Sequence, residues 1–185
     1  MLWHSHCPRV WPVWAQRWAT TKGSLTKRLV GLGRGFEVQV LGQGAVCVRN
    51  GPSLPPSSKG GGVMRQRLVR LMVEGQAVVF AQTLLGGNGL VNDWHFWNGL
   101  GQQSLGSKLF TDPLVRRGPL FFARLPAKHP WVVQVLRGAQ LDALWLNQRQ
   151  HARIWYARCA RFERKPCQTP LWVMEVFLPA LERFV

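Results

Sequence analysis

The sequence predicts an α+β fold, mostly antiparallel strands with helical excursions between them. Three observations lead there. Apolar segments of strand length recur, and two of them, Arg65 to Glu74 and Ala77 to Leu85, flank a tight turn at Gly75-Gln76. Segments with helical spacing are short and fall among the strands rather than in one block. There is no internal repeat and no apolar run of ~20 residues, so neither a repeat array nor a membrane span is expected. With 185 residues, 46% of them hydrophobic, the chain is read as one domain over 1–185 with a full core.

Residues 1–23 are read as a variable N-terminal helical segment. Trp11, Trp14 and Trp18 fall there at helical spacing, and the short polar face suits docking on a core better than lying on a membrane. Residues 9–33 read as helical in pieces, broken near Gly23, with Ser24 as the N-cap of Leu25-Thr26-Lys27-Arg28-Leu29. Phe36 to Leu41 and Ala45 to Arg49 alternate and are split by Gly42-Gln43-Gly44, the pattern of a β-hairpin. Residues 50–62, with Pro52, Pro55, Pro56 and consecutive glycines, are read as a flexible loop. Beyond the strands of the first paragraph, Asn92 or Asp93 can cap a short helix through Leu100, and Gln102 to Phe110 reads as a second. Leu120 to Leu125, Ile154 to Phe162 and Leu171 to Leu178 supply further strands, and Val132 to Leu146 is helical in pattern.

Lys and Arg number 24 against eight acids, a formal net charge of +16. Such a surplus points to an anionic partner: nucleic acid, a membrane surface or a small acidic substrate. The basic residues are spread along the chain, whereas a nucleic-acid module concentrates them on one element. No nucleic-acid partner is therefore expected. The four cysteines, Cys7, Cys47, Cys159 and Cys167, show no CxxC pair and no His spacing suited to zinc. They are read as free thiols of a cytoplasmic protein, and the N-terminus lacks the continuous apolar core of a secretory signal.

Two charged residues stand out. Glu175 is the one carboxylate in the apolar run Pro170-Leu171-Trp172-Val173-Met174-Glu175-Val176-Phe177-Leu178-Pro179, with apolar neighbours on both faces of the strand. An unpaired ionised carboxylate there costs several kcal/mol. Arg67 shares its strand face with Val69, Leu71 and Val73, and a guanidinium among apolar neighbours needs a carboxylate from the protein or from a ligand. Two arrangements fit: a buried Arg67–Glu175 pair, or a pocket in which Arg67 grips a ligand carboxylate while Glu175 meets a second polar group. His95, among Trp94, Phe96 and Trp97, is read as a packed histidine. Gly99, Gly101 and Gly106 make no phosphate loop, and there is no GxSxG or HExxH. Any catalysis would then rest on positioning, charge and acid–base help.

Ser24-Leu25-Thr26-Lys27-Arg28, then Arg67-Leu68-Val69-Arg70-Leu71 running to Gln82-Thr83-Leu84-Leu85, then Leu105-Gly106-Ser107-Lys108-Leu109-Phe110, then Glu175-Val176-Phe177-Leu178-Pro179 together resemble the chorismate lyase family. The match runs in the family's order from about Ser24 to the C-terminus. The resemblance implies an antiparallel β-sheet with helices on one side and helical flaps over an internal ligand site. It implies conversion of chorismate to 4-hydroxybenzoate and pyruvate, the first step towards the ubiquinone head group, with no metal and no cofactor. Carried over by position, Arg67 would bind the ring carboxylate, assisted by the backbone N–H groups of Leu25 and Leu105, and Glu175 would face the hydroxyl end of the ring. Leu25 stands where the family pattern has methionine, which a backbone contact survives. The arginine-rich stretch is only partly kept as Ala157-Arg158-Cys159-Ala160-Arg161, so no role is assigned to Arg158 or Arg161. The segment 132–153 looks longer than the family pattern.

The expectation is thus a cytoplasmic, monomeric lyase with catalytic Arg67 and Glu175, whose surplus charge steers a dianionic substrate or draws it weakly to an anionic membrane surface. The alternative is a non-catalytic ligand-sensing module, since effector domains of some bacterial transcription regulators share this architecture. A DNA-binding winged helix normally precedes such a domain, and residues 1–23 are too short for one. A basic nucleic-acid binder is the third reading.

Overall fold

The computed structural model describes residues 3–48, 62–87, 93–126, 128–129, 131–133 and 154–185. Among the described residues six strands form one sheet: β1 (Phe36–Val48), β2 (Gly62–Val73), β3 (Gln76–Gly86), β4 (Val115–Pro126), β5 (Ile154–Arg164) and β6 (Leu171–Phe177). Their order is β1-β2-β3-β6-β5-β4, with every neighbouring pair antiparallel. β6 therefore lies inside the sheet with both faces covered, which is why its sequence is apolar on both sides. Among the described residues, helices α1 (Val13–Ala19), α2 (Leu25–Val30) and α3 (Leu105–Thr111) accompany the sheet. Short 3-10 helices occupy His95–Gly99 and Pro179–Phe184.

The expected β-hairpin within 36–49 is not formed. Phe36–Val48 is one strand, paired along its length with β2, and Gly42 borders a bulge where the register shifts between Val40 and Gly42. β2 is long enough to satisfy the backbone on both sides of the glycines, so no reversal is needed there. The β2–β3 hairpin is present, but it turns at Glu74-Gly75, one residue before the expected Gly75-Gln76. Both residues have positive φ, 50° and 71°, the geometry whose twist matches the flanking strands.

Asp93 caps no helix. Its carboxylate accepts from the N–H groups of Cys167 (3.2 Å) and Thr169 (2.7 Å), tying the β5–β6 connection to the chain before the 3-10 helix. The expected helix from Gln102 begins instead at Leu105, where Ser104 is the N-cap. Trp131–Val133 are helical, and the rest of the helix expected to Leu146 lies outside the described residues, as do Asn92 and residues 50–61 of the expected loop. The loop's last residue, Gly62, opens β2.

Each face of the sheet has its own core. On one, Trp11 and Trp18 pack with Val38, Leu71, Val79 and Phe177, so the N-terminal tryptophans are core residues. On the other, Phe80, Trp172, Met174 and Val176 meet Trp131 and Val132. The alternation read from β6 is therefore correct: Glu175 and Val173 face α1–α3, with Trp172 and Met174 behind them. The four cysteines are unpaired, and among the described residues no helix is long and apolar enough to cross a membrane.

Candidate active site

A cavity of about 690 Å³, its mouth included, lies between this face of the sheet and the first turns of α2 and α3. Leu25, Arg67, Leu105 and Glu175 all line it. Its floor is set by register. One row across the sheet runs Gln43, Arg67, Thr83, Val173, Ala160, and the next runs Val69, Ala81, Glu175, Arg158.

Arg67 and Glu175 do not pair. Arg67 is only 3% exposed, and its guanidinium is held by oxygens without charge. Nη1–H donates to Gln43 Oε1 at 2.7 Å, and Nη2–H groups donate to the carbonyls of Gly101 (2.7 Å) and Gln103 (3.2 Å). Burial pushes its pKa down from the ordinary arginine value. Among the described residues no acid neutralises it, and three of its five N–H donors are matched by these oxygens. A desolvated cation with spare donors is a site for an anion. Gln43, which the sequence suggests is a turn residue, instead lies opposite Arg67 in the β1–β2 register and orients it.

Glu175 pairs with Arg158, its neighbour on β5, through Arg158 Nε–H and Glu175 Oε2. The side chains are 4% and 14% exposed, so the pair is largely desolvated. Nη1 of Arg158 reaches the carbonyls of Ala19 (3.1 Å), Thr21 (3.2 Å) and Trp18 (3.4 Å) at the end of α1. Arg158 thus anchors Glu175 and the N-terminal segment together. Directly after Arg158, Cys159 lies on the opposite face, and burial, with Glu175 adding to it, pushes its thiol well up. The sequence reading names Arg158 but assigns it no role. The signal is that the residues on either side of it, Tyr156-Ala157 and Cys159-Ala160, carry no charge, as around Glu175. Arg117 also lines the cavity and was not singled out. His95, expected to be packed, is exposed, because its 3-10 helix turns Trp97 inward instead.

α2 and α3 cover the cavity as twin flaps. Ser24 and Ser104 cap them, accepting from the N–H groups of Lys27 (3.1 Å) and Ser107 (3.4 Å). The first turns touch: Ser104 Oγ donates to Thr26 Oγ1 at 2.9 Å. A Cβ on Gly106 would lie 2.9 Å from Thr26 Oγ1 and 3.1 Å from Ser24 Oγ, so only glycine permits this approach. Among the described residues no cluster of His, Cys, Asp and Glu is suited to a metal ion.

Sheet, flaps and a cavity lined by three arginines and one glutamate define a small α+β protein with a candidate ligand site on one face of its sheet. Solved structures like it in fold include PhnF from Mycobacterium smegmatis, with a TM-score of 0.56 at 13% identity over 87% of this chain and 66% of that one. The effector domain of PhnF gives a TM-score of 0.53 at 13% identity, over 85% and 90%. The chorismate lyase family model matches residues 4–183, and the chain belongs to that family of lyases. A probable chorismate pyruvate-lyase of Nitrosomonas europaea is 31% identical over 185 residues, 99% of this chain and 96% of the relative. One from Ralstonia nicotianae is 34% identical over 183 residues, 92% and 84%. One from Cupriavidus metallidurans is 38% identical over 137 residues, 69% of this chain, which spans 61% of that relative.

Proposed function

We propose that the protein eliminates pyruvate from chorismate to give 4-hydroxybenzoate, the first step towards the ubiquinone head group. One observation supports this most: three arginines, Arg67, Arg117 and Arg158, line the cavity with one carboxylate, Glu175. The two positive charges left over suit a dianion, and chorismate carries two carboxylates.

The substrate stores the driving force. Its C3–O and C4–H bonds break and the ring gains its third double bond. Enolpyruvate leaves and receives a proton at its methylene carbon, becoming pyruvate. The protein's work is then to hold the dianion, exclude water and assist the proton. Arg67 would hold the ring carboxylate, helped by the N–H groups of Leu25 and Leu105. These stand in the first turns of α2 and α3, where a helix offers them no internal acceptor. Glu175 would face the hydroxyl end of the ring, with Arg158 fixing one carboxylate oxygen and leaving the other towards the ligand. The proposal places a monomer in the cytoplasm, with no cofactor and at most weak attraction to anionic membranes.

Purified protein mixed with chorismate is expected to form 4-hydroxybenzoate, followed by its ultraviolet absorbance. Arg67→Ala and Glu175→Ala are expected to lose most of that activity. Folded wild-type protein that binds chorismate without making product would sink the lyase assignment and favour a ligand-sensing role.

A further inference from the structure

β4 is an edge strand, and it carries an irregularity where it enters the cavity. Arg117 pairs with Phe162 and Leu120 with Ala160, so three steps along β4 match two along β5. In a regular strand Arg117 and Leu120 would point to opposite faces, because side chains alternate. Here both line the cavity. The bulge at Gly118-Pro119 therefore turns Arg117 inward, and a proline without an N–H is tolerated at such a point. Bulges commonly re-aim a side chain beside an active site.

Arg117 arrives there without a counter-charge. Among the described residues it forms no ion pair, and its guanidinium lies 5.6 Å from the ring centre of Phe110 on α3. Burial and the repulsion of Arg158 push its pKa down, while Glu175 pulls the other way. That carboxylate is already engaged by Arg158. Arg67 stands on β2, four strand spacings and one register row away. This separation is about 20 Å at the backbone. Between them, on β6, lie Val173 and Glu175. The cavity thus has a cationic group at each end and an acid between, which matches a ring bearing a carboxylate at one end and a carboxylated side chain at the other.

We propose that Arg117 binds the carboxylate of the enolpyruvyl side chain, holding the leaving group at the β4–α3 end while Arg67 holds the ring. This rests on the lyase reading. It makes Arg117 the residue that distinguishes substrate from product, because 4-hydroxybenzoate keeps only the ring carboxylate.

The test compares the two ligands in the same variants. In Arg117→Gln, kcat/KM for chorismate is expected to fall on the order of 10- to 100-fold, the usual effect of losing a charge-assisted contact. The Kd for 4-hydroxybenzoate, measured by calorimetry, should stay within about threefold of wild type. Arg117→Lys should recover part of the chorismate loss, and Arg67→Gln should weaken both ligands. Unchanged chorismate kinetics in Arg117→Gln would overturn the proposal, as would equal weakening of substrate and product. If Arg117→Gln does not fold, Arg117→Lys decides on the same comparison: selective loss of chorismate supports the assignment, and equal loss overturns it. Wild-type protein that turns over no chorismate would instead overturn the lyase reading itself.

Discussion

At the scale of residues, Arg158 and Glu175 are held as one unit. Each lies on a strand face with apolar neighbours, and their pairing follows from the β5–β6 register. Removing one partner of a buried pair leaves the other charge uncompensated, which costs about 3–5 kcal/mol. Arg158→Met is therefore expected to lower Tm by roughly 10 °C. Replacing both, as Arg158→Met with Glu175→Leu, removes the stranded charge and should regain at least half of that loss while activity stays absent. Thermal melts of the wild type, the single and the double variant check this. A double variant no more stable than Arg158→Met would show that the α1 carbonyls, and not Glu175, depend on Arg158.

At the scale of elements, what was legible in the sequence depended on how local its cause is. Ser24 as a cap and the β2–β3 hairpin were readable because their hydrogen bonds close within a few residues. Glu175 and Arg67 were readable as charges in apolar strands, although the roles given them remain proposals. The glycines of β1 misled, because the same residues permit a turn or a bulge and only the length of β2 decides between them. Arg158 and Arg117 were not legible for a related reason: one depends on the pairing of β5 with β6, the other on a bulge that breaks alternation. The flaps lie between these cases. Each helix start is written in its serine, but their contact through Thr26, Ser104 and Gly106 is not. That contact predicts slow product release: a burst of 4-hydroxybenzoate in the first turnover, then a slower steady rate. Gly106→Ala crowds Thr26 Oγ1 and Ser24 Oγ and strains the hydroxyl contact, so the burst should shrink and product bind about fivefold more weakly. Stopped-flow measurement decides it, and a wild type without a burst counts against release limited by the flaps.

At the scale of the whole molecule, the cavity accounts for only a small part of the net charge of +16. The rest lies along the chain and acts on a dianion approaching through water. Such attraction is screened: the Debye length falls from about 30 Å at ~0.01 M salt to about 8 Å at ~0.15 M. Chemistry inside a closed cavity is screened far less, since the charges that meet the substrate there are largely out of water. The two contributions therefore separate. Between low and physiological salt, kcat/KM for chorismate is expected to fall severalfold while kcat holds nearly constant. Steady-state kinetics at matched pH reads both, and a kcat that falls in step with kcat/KM would place the salt effect inside the site. The same series tests nucleic-acid binding, since phosphate contacts weaken steeply with salt. Random duplex DNA is expected to leave chorismate turnover unchanged at ~0.15 M, because the basic residues form no continuous run. Inhibition that persists there would assign the surplus charge to nucleic acid instead of to the substrate.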